Sequence, residues 1–422
     1  MGETAEGTER AVVEFDPHSR GYRDDRRAVW SELRRCPVAW SEHYGGFWVV
    51  SGYPDVVEVA KDEHRFSSRY EPEPVDGIAY LGITGVPRGR GIPPAGIAEA
   101  DPTVHAALRR LLNPHLLPPA VTALTPFMEE TAAWFLDRHI GAGRFDLVGD
   151  FTNPVTAVTT LRIMGLPPAS WEHYAGVFHG TVAYSADSPE YREAMALLPG
   201  LVGELFAEAE DRRRHPRDDL LTQLVELRGS DGELLDDGQV SAVLWNLVAG
   251  GLDTTSSMTA LALRHLDGDH DARRRMTEDP GMMPLATEEY LRYFCVNETL
   301  TRTVVEDTEL HGQQLRRGEY LLLSWLAADL DESVFERPDE LVLDRAPNPH
   351  LAFGIGPHRC IGMHLARALF RIMVRQVLDR IPDYRVDHAG TSLYERDPSL
   401  AGVAAMPVTF TPAPVVGGPR PW

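Results

Sequence analysis

The stretch FGIGPHRCIG, residues 353–362, constrains the fold more than any other part of the chain. Gly354 and Gly356 allow the tight turns and close backbone approach that side chains would prevent. Gly362 leaves space on the first turn of the amphipathic helix predicted to follow. If that helix begins at Cys360, the sulfur lies among unpaired backbone N–H groups at the positive end of a helix dipole. Such a position favours the thiolate, the form that binds metals and attacks electrophiles.

Two other roles for Cys360 remain open on this pattern alone. A single cysteine is usually an inert, buried, apolar side chain. A hydrolase nucleophile would need a base, and His358 is the nearest candidate. A separation of two residues just before a helix is poor geometry for such a pair.

Cysteine spacing and net charge narrow the class of protein. Cys36, Cys295 and Cys360 are the only cysteines and lie far apart, which argues against a disulfide framework or zinc ribbon and fits a reducing cytoplasm. The net charge of −22 makes nucleic acid an unfavourable partner. There is no signal peptide pattern and no apolar run of the ~18 residues that a membrane span needs. These features predict a cytoplasmic protein with no membrane anchor.

Helical periodicity dominates the chain. Long helical patterns cover residues 128–140, 190–214 and 363–381, whereas strand patterns are short, as in FWVVSG, TVVEDTEL, GEYLLLSW and MPVTF. Residues 71–102 are rich in Gly and Pro and predict a long functional loop. No linker divides the chain, so we expect one mainly α domain with small β-sheets over residues 1–422, with flexible tails at about 1–12 and 413–422.

A second unusual stretch is VSAVLWNLVAGGLDTTSSMTALAL, residues 240–263. An apolar helical pattern runs into Gly250 and Gly251, and each interior glycine costs a helix about 1 kcal/mol. Either the helix ends at this pair, or it continues through Asp253 and Thr254 for a functional reason. A phosphate-binding loop is excluded, since no Gly-Lys-Ser/Thr follows.

With these residues in view, the pattern Phe-Gly-x-Gly-x-His-x-Cys-x-Gly resembles the haem-binding loop of the cytochrome P-450 (haem-thiolate) family. It is matched without a gap by Phe353, Gly354, Gly356, His358, Cys360 and Gly362. The resemblance implies the family's triangular, mostly helical prism and a b-type haem with Cys360 as the thiolate ligand of its iron. A thiolate ligand pushes electron density onto iron and favours O–O cleavage.

The same resemblance assigns the residues around the haem. Asp253 and Thr254 occupy the acid–alcohol positions of the oxygen-binding helix, where a carboxylate relays protons and a hydroxyl stabilises dioxygen. Haem contacts are also implied for Ala249, Gly250, Phe353, Gly354 and Gly362. His105 and Arg109, one turn apart on a helix capped by Asp101, become ligands of the haem propionates together with Arg302 and His358.

A further motif of the family is the pair Glu289 and Arg292 in EEYLR, which fixes the structure behind the haem. As an isolated pair, Glu289 and Arg292 would instead be interpreted as an ordinary surface ion pair worth ~0.2–0.5 kcal/mol. The family usually adds a third, basic partner, but Glu340 stands where an arginine is common. Candidates for that partner are Arg337, Arg345 and His350.

The resemblance implies a reaction that inserts one oxygen atom of O2 into a medium-sized, mostly apolar organic substrate. Hydroxylation is the expected type of this reaction. No flavin or iron–sulfur motif is present, so the electrons must come from outside the chain. The resemblance, to the soluble bacterial type of the family, implies a ferredoxin and its reductase as donors to a monomeric enzyme. The donor is expected to dock on basic residues near Cys360, namely Arg110, Arg359, Arg367, Arg371 and Arg375. The expected substrate pocket comprises Asn246, Ala249, Gly250, Val296, Asn297 and Leu400, with residues 71–100 and 171–184 as its roof.

Two alternatives remain open beside monooxygenation. One is a haem-thiolate enzyme that uses peroxide or catalyses coupling or rearrangement. The other is a haem sensor without catalysis, in which an acid–alcohol pair would serve no purpose.

Overall fold

The computed structural model describes residues 10–88, 94–100, 102–229, 232–395 and 399–422. Helices dominate these ranges, as the periodicity predicted. They are α1 (Arg20–Asp24), α2 (Arg26–Leu33), α3 (Tyr53–Lys61), α4 (Pro102–Leu116), α5 (Pro118–Ile140), α6 (Asn153–Met164), α7 (Trp171–Ala183), α8 (Pro189–Arg214), α9 (Leu220–Val225), α10 (Asp237–Gly268), α11 (His270–Glu278), α12 (Met282–Phe294), α13 (Trp325–Asp329) and α14 (Met363–Arg380).

The strands are short and form small sheets, so the prediction of a mainly α fold with small sheets is confirmed. They are β1 (Val38–Ser41), β2 (Phe47–Val50), β3 (Phe66–Ser67), β4 (Arg144–Asp146), β5 (Thr299–Val304), β6 (Thr308–Leu310), β7 (Gln313–Leu315), β8 (Tyr320–Ser324), β9 (Arg385–Val386), β10 (Ser392–Leu393), β11 (Val403–Ala405) and β12 (Pro407–Thr409). The largest sheet has the order β1-β2-β8-β5-β3, and only its β2–β8 pairing is parallel. The others have the orders β4-β12-β9, β6-β7 and β10-β11.

Helix α10, with 32 residues, runs through the middle of the molecule. It starts with a capping box between Asp236 and Gln239. The helix does not end at the Gly-Gly pair, because α6 packs against it there. A Cβ atom on Gly251 would lie 2.6 Å from Thr160 Oγ1, so glycine is what permits this close approach of the two helices.

Three apolar clusters surround α10 and position the site. One joins α5, α12 and α14 to the C-terminal half of α10. A second lies between α4, α6, α8 and the N-terminal half of α10. The third fills the space around the five-stranded sheet and contains Trp30, Trp48 and Trp325. The cavity described below lies where these clusters meet.

The C-terminal segment differs from the flexible tail predicted for residues 413–422. Trp422 stacks on Phe135 with ring centroids 5.5 Å apart and contacts Trp134 at 5.1 Å. The backbone N–H groups of Val416 and Gly417 donate to Asp137. Burial of a large aromatic side chain holds this segment in place, and that long-range contact is not visible in local composition. Residues 1–9 of the other predicted tail, and the predicted cap Asp101, lie outside the described residues.

None of the helices in the described part of the chain combines the length and hydrophobicity needed to cross a membrane.

Candidate active site

A cavity of about 330 Å³ lies between α10 and the loop that precedes α14. Helices α4, α6 and α12 and strand β5 complete its wall, which is mainly apolar. We call the wall formed by residues 352–362 the cysteine face and the wall formed by residues 246–258 of α10 the α10 face.

The cysteine face is a turn-rich loop that presents a sulfur atom to the cavity. Gly354 and Gly356 have φ angles of 64° and 79°, as their glycine identity predicted. A Cβ atom on Gly356 would lie 2.5 Å from the Ala60 carbonyl oxygen, so this loop packs directly against α3. The Cys360 N–H donates to the Phe353 carbonyl at 2.8 Å and closes the loop.

Helix α14 begins at Met363, and not at Cys360 as predicted. The Gly362 N–H still points at the sulfur and lowers the thiol pKa. Burial raises the pKa of Cys360 more strongly, although Arg109, Arg367 and Arg359 also lower it, so the net shift is upward. The sulfur is exposed to the cavity while lying deep inside the protein. A thiolate here therefore requires a cation directly against it, which a metal ion in the cavity would supply.

Basic side chains from α4, β5 and the loop before α14 lie at one edge of the cavity. His105 and Arg109 lie one turn apart on α4, and the His105 ring is 4.1 Å from that of His358. Arg109 donates to the Arg359 carbonyl at 2.9 Å. Arg302 of β5 is 3% exposed and donates to the Thr301 carbonyl.

The electrostatics of this edge favour an anion. Burial, followed by the charges of Arg302, His105 and Arg109, lowers the pKa of His358 to about 2. Burial lowers the pKa of Arg302 to about 10. His358 Nδ1 is buried with no hydrogen-bond partner among the described residues. Carboxylates placed at this edge would accept hydrogen bonds from these groups and relieve their mutual repulsion, so the edge fits the two propionates of a haem.

Two neighbours of His358 had no signal in the sequence. Ser68 Oγ lies 3.0 Å from His358 Nε2, and a Glu63 carboxylate oxygen lies 3.7 Å from the same atom. Both come from the segment after α3, and only tertiary packing brings them to the loop.

On the α10 face, Gly250, Gly251 and Thr254 line the cavity. The Thr254 hydroxyl donates to the Gly250 carbonyl at 2.8 Å. Asp253, next to Thr254 in the chain, is not among the lining residues, and its carboxylate contacts His179 and Asn153 instead. The predicted acid and alcohol therefore point to different sides of α10.

Of the other residues predicted for the substrate pocket, some line the cavity and some do not. Asn246, Val296 and Asn297 line the cavity, as do Ile83, Ile97 and Ala98 from the predicted 71–100 roof. The predicted pocket residues Ala249 and Leu400 pack elsewhere.

Ala249 joins the apolar cluster between α6 and α8, because the cavity side of that α10 turn is taken by Gly250. Leu400 forms an isolated β-bridge with Asn297, and its side chain packs against Ala183, Tyr394 and Ala404. No described residue of 171–184 lines the cavity, since α7 lies over the outer side of α10. Thr160 does line it and was not predicted.

Behind the cysteine face, Glu289 and Arg292 form a completely buried pair, with two contacts of 2.8 Å. The third partner is Arg345, whose Nε donates to Glu289 at 2.9 Å. The other two candidates pair elsewhere, Arg337 with Glu340 and His350 with Glu288.

Comparison with known proteins gives one consistent family. A family model described as Cytochrome P450 matches residues 185–381. The chain is 32% identical over 316 residues to Cytochrome P450 105A3 of Streptomyces carbophilus, which covers 74% of this chain and 75% of that protein. It is 28% identical to the epothilone C/D epoxidase of Sorangium cellulosum, over 96% of this chain and 97% of that protein. A solved Mycobacterium marinum cytochrome P450 in complex with pseudoionone superposes with a TM-score of 0.83 and 26% identity, over 96% of this chain and all (100%) of that one.

These likenesses extend over the helices that carry the cysteine face and the α10 face, and they confirm the resemblance inferred from the sequence. The chain belongs to the cytochrome P450 family, has its mainly α fold and haem-thiolate type of cofactor, and is a monooxygenase of the oxidoreductase class.

Proposed function

We propose that this enzyme inserts one oxygen atom of O2 into a medium-sized, mostly apolar organic molecule, by hydroxylation or epoxidation. The observation that carries the proposal is the geometry of one cavity. It has the Cys360 sulfur on one wall, the Thr254 hydroxyl on the opposite wall and a basic edge between them.

The proposed cofactor is haem b. Cys360 would ligate its iron, and His105, Arg109, Arg302 and His358 would hold its propionates. Phe353, Gly354, Gly362 and Gly250 line the cavity and would contact the cofactor. A Cβ atom on Gly250 or Gly362 would meet nothing within 4 Å, so these two positions leave room for it. When bound, haem supplies the iron centre that activates O2. The protein's part is to fix the sulfur, exclude water and manage protons.

Thr254 and Asp253 are assigned to proton delivery in the cavity. Thr254 presents a hydroxyl to the cavity while its own proton is directed at the Gly250 carbonyl, so its oxygen lone pairs can accept from a donor in the cavity. Asp253 is a buried carboxylate one residue away, and it would relay protons from outside the cavity.

The substrate end of the cavity supports an apolar molecule with a few polar groups. Its wall is mostly apolar, and Asn297 Oδ1 and Thr160 Oγ1 are buried polar atoms with no partner among the described residues. Asn246 also lines this wall, so a mostly apolar ligand would meet a few polar side chains there. One relative is an epothilone C/D epoxidase and one neighbour was solved in complex with pseudoionone, and we place this enzyme in secondary metabolism.

A ferredoxin, reduced by its reductase, is the proposed electron donor. Arg110 and Arg359 are exposed, as is Arg375 further along α14, and no carboxylate pairs with them in the described ranges. Arg367 is bound to Glu288 at 2.6 Å and Arg371 approaches the same carboxylate, so these two contribute less to the patch. We further propose that residues 1–422 act as one monomeric, cytoplasmic catalytic unit, with no nucleic acid or membrane partner.

The test starts from a spectral-shift screen of the ferric protein against apolar natural products. Compounds that shift the spectrum are then incubated with the enzyme, a surrogate ferredoxin and reductase, and 18O-labelled O2. The proposal expects products heavier by one labelled oxygen atom. Products without label, or turnover that needs added peroxide and ignores the ferredoxin, would exclude it.

A further inference from the structure

Residues 296–300 lead into β5 and form part of the cavity wall, and we call them the 296–300 wall. Val296, Asn297 and Leu300 line the cavity. Glu298 belongs to the same segment, but it is buried and is not among the lining residues. Its carboxylate is therefore directed into the protein, where a charged group needs a partner.

The partners of Glu298 come from the first two helices of the chain. Arg26, the first residue of α2, donates from Nη1 to Glu298 Oε2 at 2.9 Å. The Tyr22 hydroxyl of α1 donates to the same oxygen at 3.2 Å, and Trp30 Nε1 donates to the Tyr22 hydroxyl at 3.1 Å. The Arg26 and Glu298 side chains are only 16% and 4% exposed. A largely buried ion pair thus joins the N-terminal helices to the 296–300 wall.

The same guanidinium also binds the C-terminal segment that pairs with this wall. Arg26 Nη1 donates to the Leu400 carbonyl at 3.1 Å. The Ala401 N–H donates to the Val296 carbonyl at 2.8 Å, and Leu400 forms a β-bridge with Asn297. Arg26 therefore holds both segments of this backbone pairing through one nitrogen atom. Loss of the guanidinium would release both segments from α2.

The electrostatics of Glu298 depend strongly on Arg26. Burial raises the pKa of Glu298, whereas the charge and hydrogen bond of Arg26, and then the Tyr22 hydrogen bond, lower it, and the net shift is upward. Burial also raises the pKa of Tyr22, so the phenol keeps the proton that it donates. Without Arg26 the buried carboxylate would lose its closest cation, which is strongly destabilising, whereas replacement of both members of a buried pair by neutral groups is often tolerated.

We propose that Arg26 is a positioning residue for substrate selection and acts through Glu298 on the 296–300 wall. No described residue of α1 or α2 lines the cavity, so the effect is indirect. The ion pair holds the wall in one position, and that position limits the size and orientation of the molecules that fit beside the haem. The inference rests on the proposed function, because the wall selects substrates only if the cavity holds haem and a substrate.

The first test compares two ligands of the haem iron by spectral titration of the ferric protein. Imidazole needs only the space at the iron, whereas the aryl ring of 4-phenylimidazole must also fit against the cavity wall. In Arg26→Met the dissociation constant of 4-phenylimidazole should rise about tenfold, and that of imidazole should stay within about twofold. Arg26→Lys should bind both ligands like the wild type, because its amino group can donate to Glu298 and to the Leu400 carbonyl as Arg26 Nη1 does. Equal weakening of both ligands in Arg26→Met, or no weakening of either, would overturn the proposal.

The second test separates the position of the wall from the stability of the protein. Urea denaturation should show a loss of stability in Arg26→Met, and the double variant Arg26→Met/Glu298→Gln, which has no unpaired buried charge, should regain most of it. The double variant should nevertheless keep the weakened binding of 4-phenylimidazole, and it supplies the comparison if Arg26→Met does not fold. Recovery of binding together with stability would contradict the proposal.

The control is Arg35→Met, the same substitution at an exposed ion pair with Glu32 just after α2. It should leave both dissociation constants unchanged, and an effect equal to that of Arg26→Met would also contradict the proposal. These titrations use no turnover. A failure to find labelled product would therefore remove the proposed reaction, while the ratio of the two dissociation constants still decides the role of Arg26.

Discussion

The Glu289–Arg292 pair behind the cysteine face and the substrate end of the cavity differ in how completely their own hydrogen-bonding groups are satisfied. Behind the cysteine face, all five N–H groups of Arg292 have acceptors: the two Glu289 oxygens and the carbonyls of Asp329, Pro338 and Glu340. Glu289 also accepts from Val342, Arg345 and Asn348. At the substrate end, Thr160 Oγ1 and Asn297 Oδ1 have no partner among the described residues. The saturated Glu289–Arg292 pair supports the fixed position of the loop that carries Cys360. The unsaturated substrate end leaves polar atoms of Thr160 and Asn297 without a protein partner among the described residues.

The largest effect is expected on the free energy of unfolding, when the saturated Glu289–Arg292 pair is disrupted. Arg292→Ala leaves Glu289 as a buried carboxylate without its main partner, which costs about 3–5 kcal/mol of unfolding free energy. That is a large share of the 5–15 kcal/mol typical of whole proteins. Urea denaturation measures it. The matched control is Arg337→Ala, which removes an exposed pair with Glu340 and should change stability by less than about 1 kcal/mol. Equal losses of unfolding free energy in the two variants would mean that the buried pair stabilises the protein no more than the exposed pair does.

The next effect concerns chemistry on the α10 face and not stability. Thr254→Ala removes a hydroxyl that faces the cavity, so reducing equivalents should divert to hydrogen peroxide while substrate binding stays nearly unchanged. Asp253→Asn should slow turnover by about 10²-fold or more, the usual contribution of a positioned proton donor. Product formed per NADPH consumed separates the two variants. Normal coupling in Thr254→Ala would contradict its proposed role.

A smaller effect is expected on the outer surface of the cysteine face. Arg359→Glu and Arg110→Glu should slow ferredoxin-driven reduction, and raising the salt concentration should shrink the difference, because complementary charge mainly raises association rates. Stopped-flow reduction at low and high salt measures this. Arg420→Glu, at the C-terminal segment packed on α5, is the control with the same charge change. Equal slowing in all three variants would indicate an effect of total charge alone.

The smallest effect should come from the unsaturated side. Thr160→Val keeps the shape of the side chain and removes a buried hydroxyl that has no partner among the described residues. We expect stability to stay within about 1 kcal/mol of the wild type or to rise. Affinity for polar members of the substrate screen should fall while apolar members bind as before. A loss of several kcal/mol would show that the hydroxyl already has a structural partner.

Local sequence predicted the tight turns at Gly354 and Gly356. The continuation of α10 through Gly250 and Gly251, and the role of the Glu289–Arg292 pair behind the haem, were predicted from the family resemblance and not from local pattern. The start of α14 was misplaced by three residues, because Gly362 and not Cys360 precedes its first turn. Contacts between segments that are distant in the chain could not be predicted from the sequence.

Arg345 was one of three candidates for a partner 56 residues from Glu289. His179 lies 74 residues from Asp253, and no spacing rule joins them. The docking of Trp422 on Phe135 depends on a surface that exists only after α5 has packed. Local periodicity reports which face of an element is apolar, but the choice among several compatible partners is made by tertiary packing.

The central claim is that Cys360 supplies the thiolate for a haem in this cavity, and the absorbance spectrum of the reduced carbonyl complex tests it most directly. The wild type should show the red-shifted band typical of thiolate ligation, and Cys360→His should bind haem without that band. Cys295→Ser, which changes the other cysteine that lines the cavity, should keep it. Retention of the band in Cys360→His, or its loss in Cys295→Ser alone, would contradict the assignment.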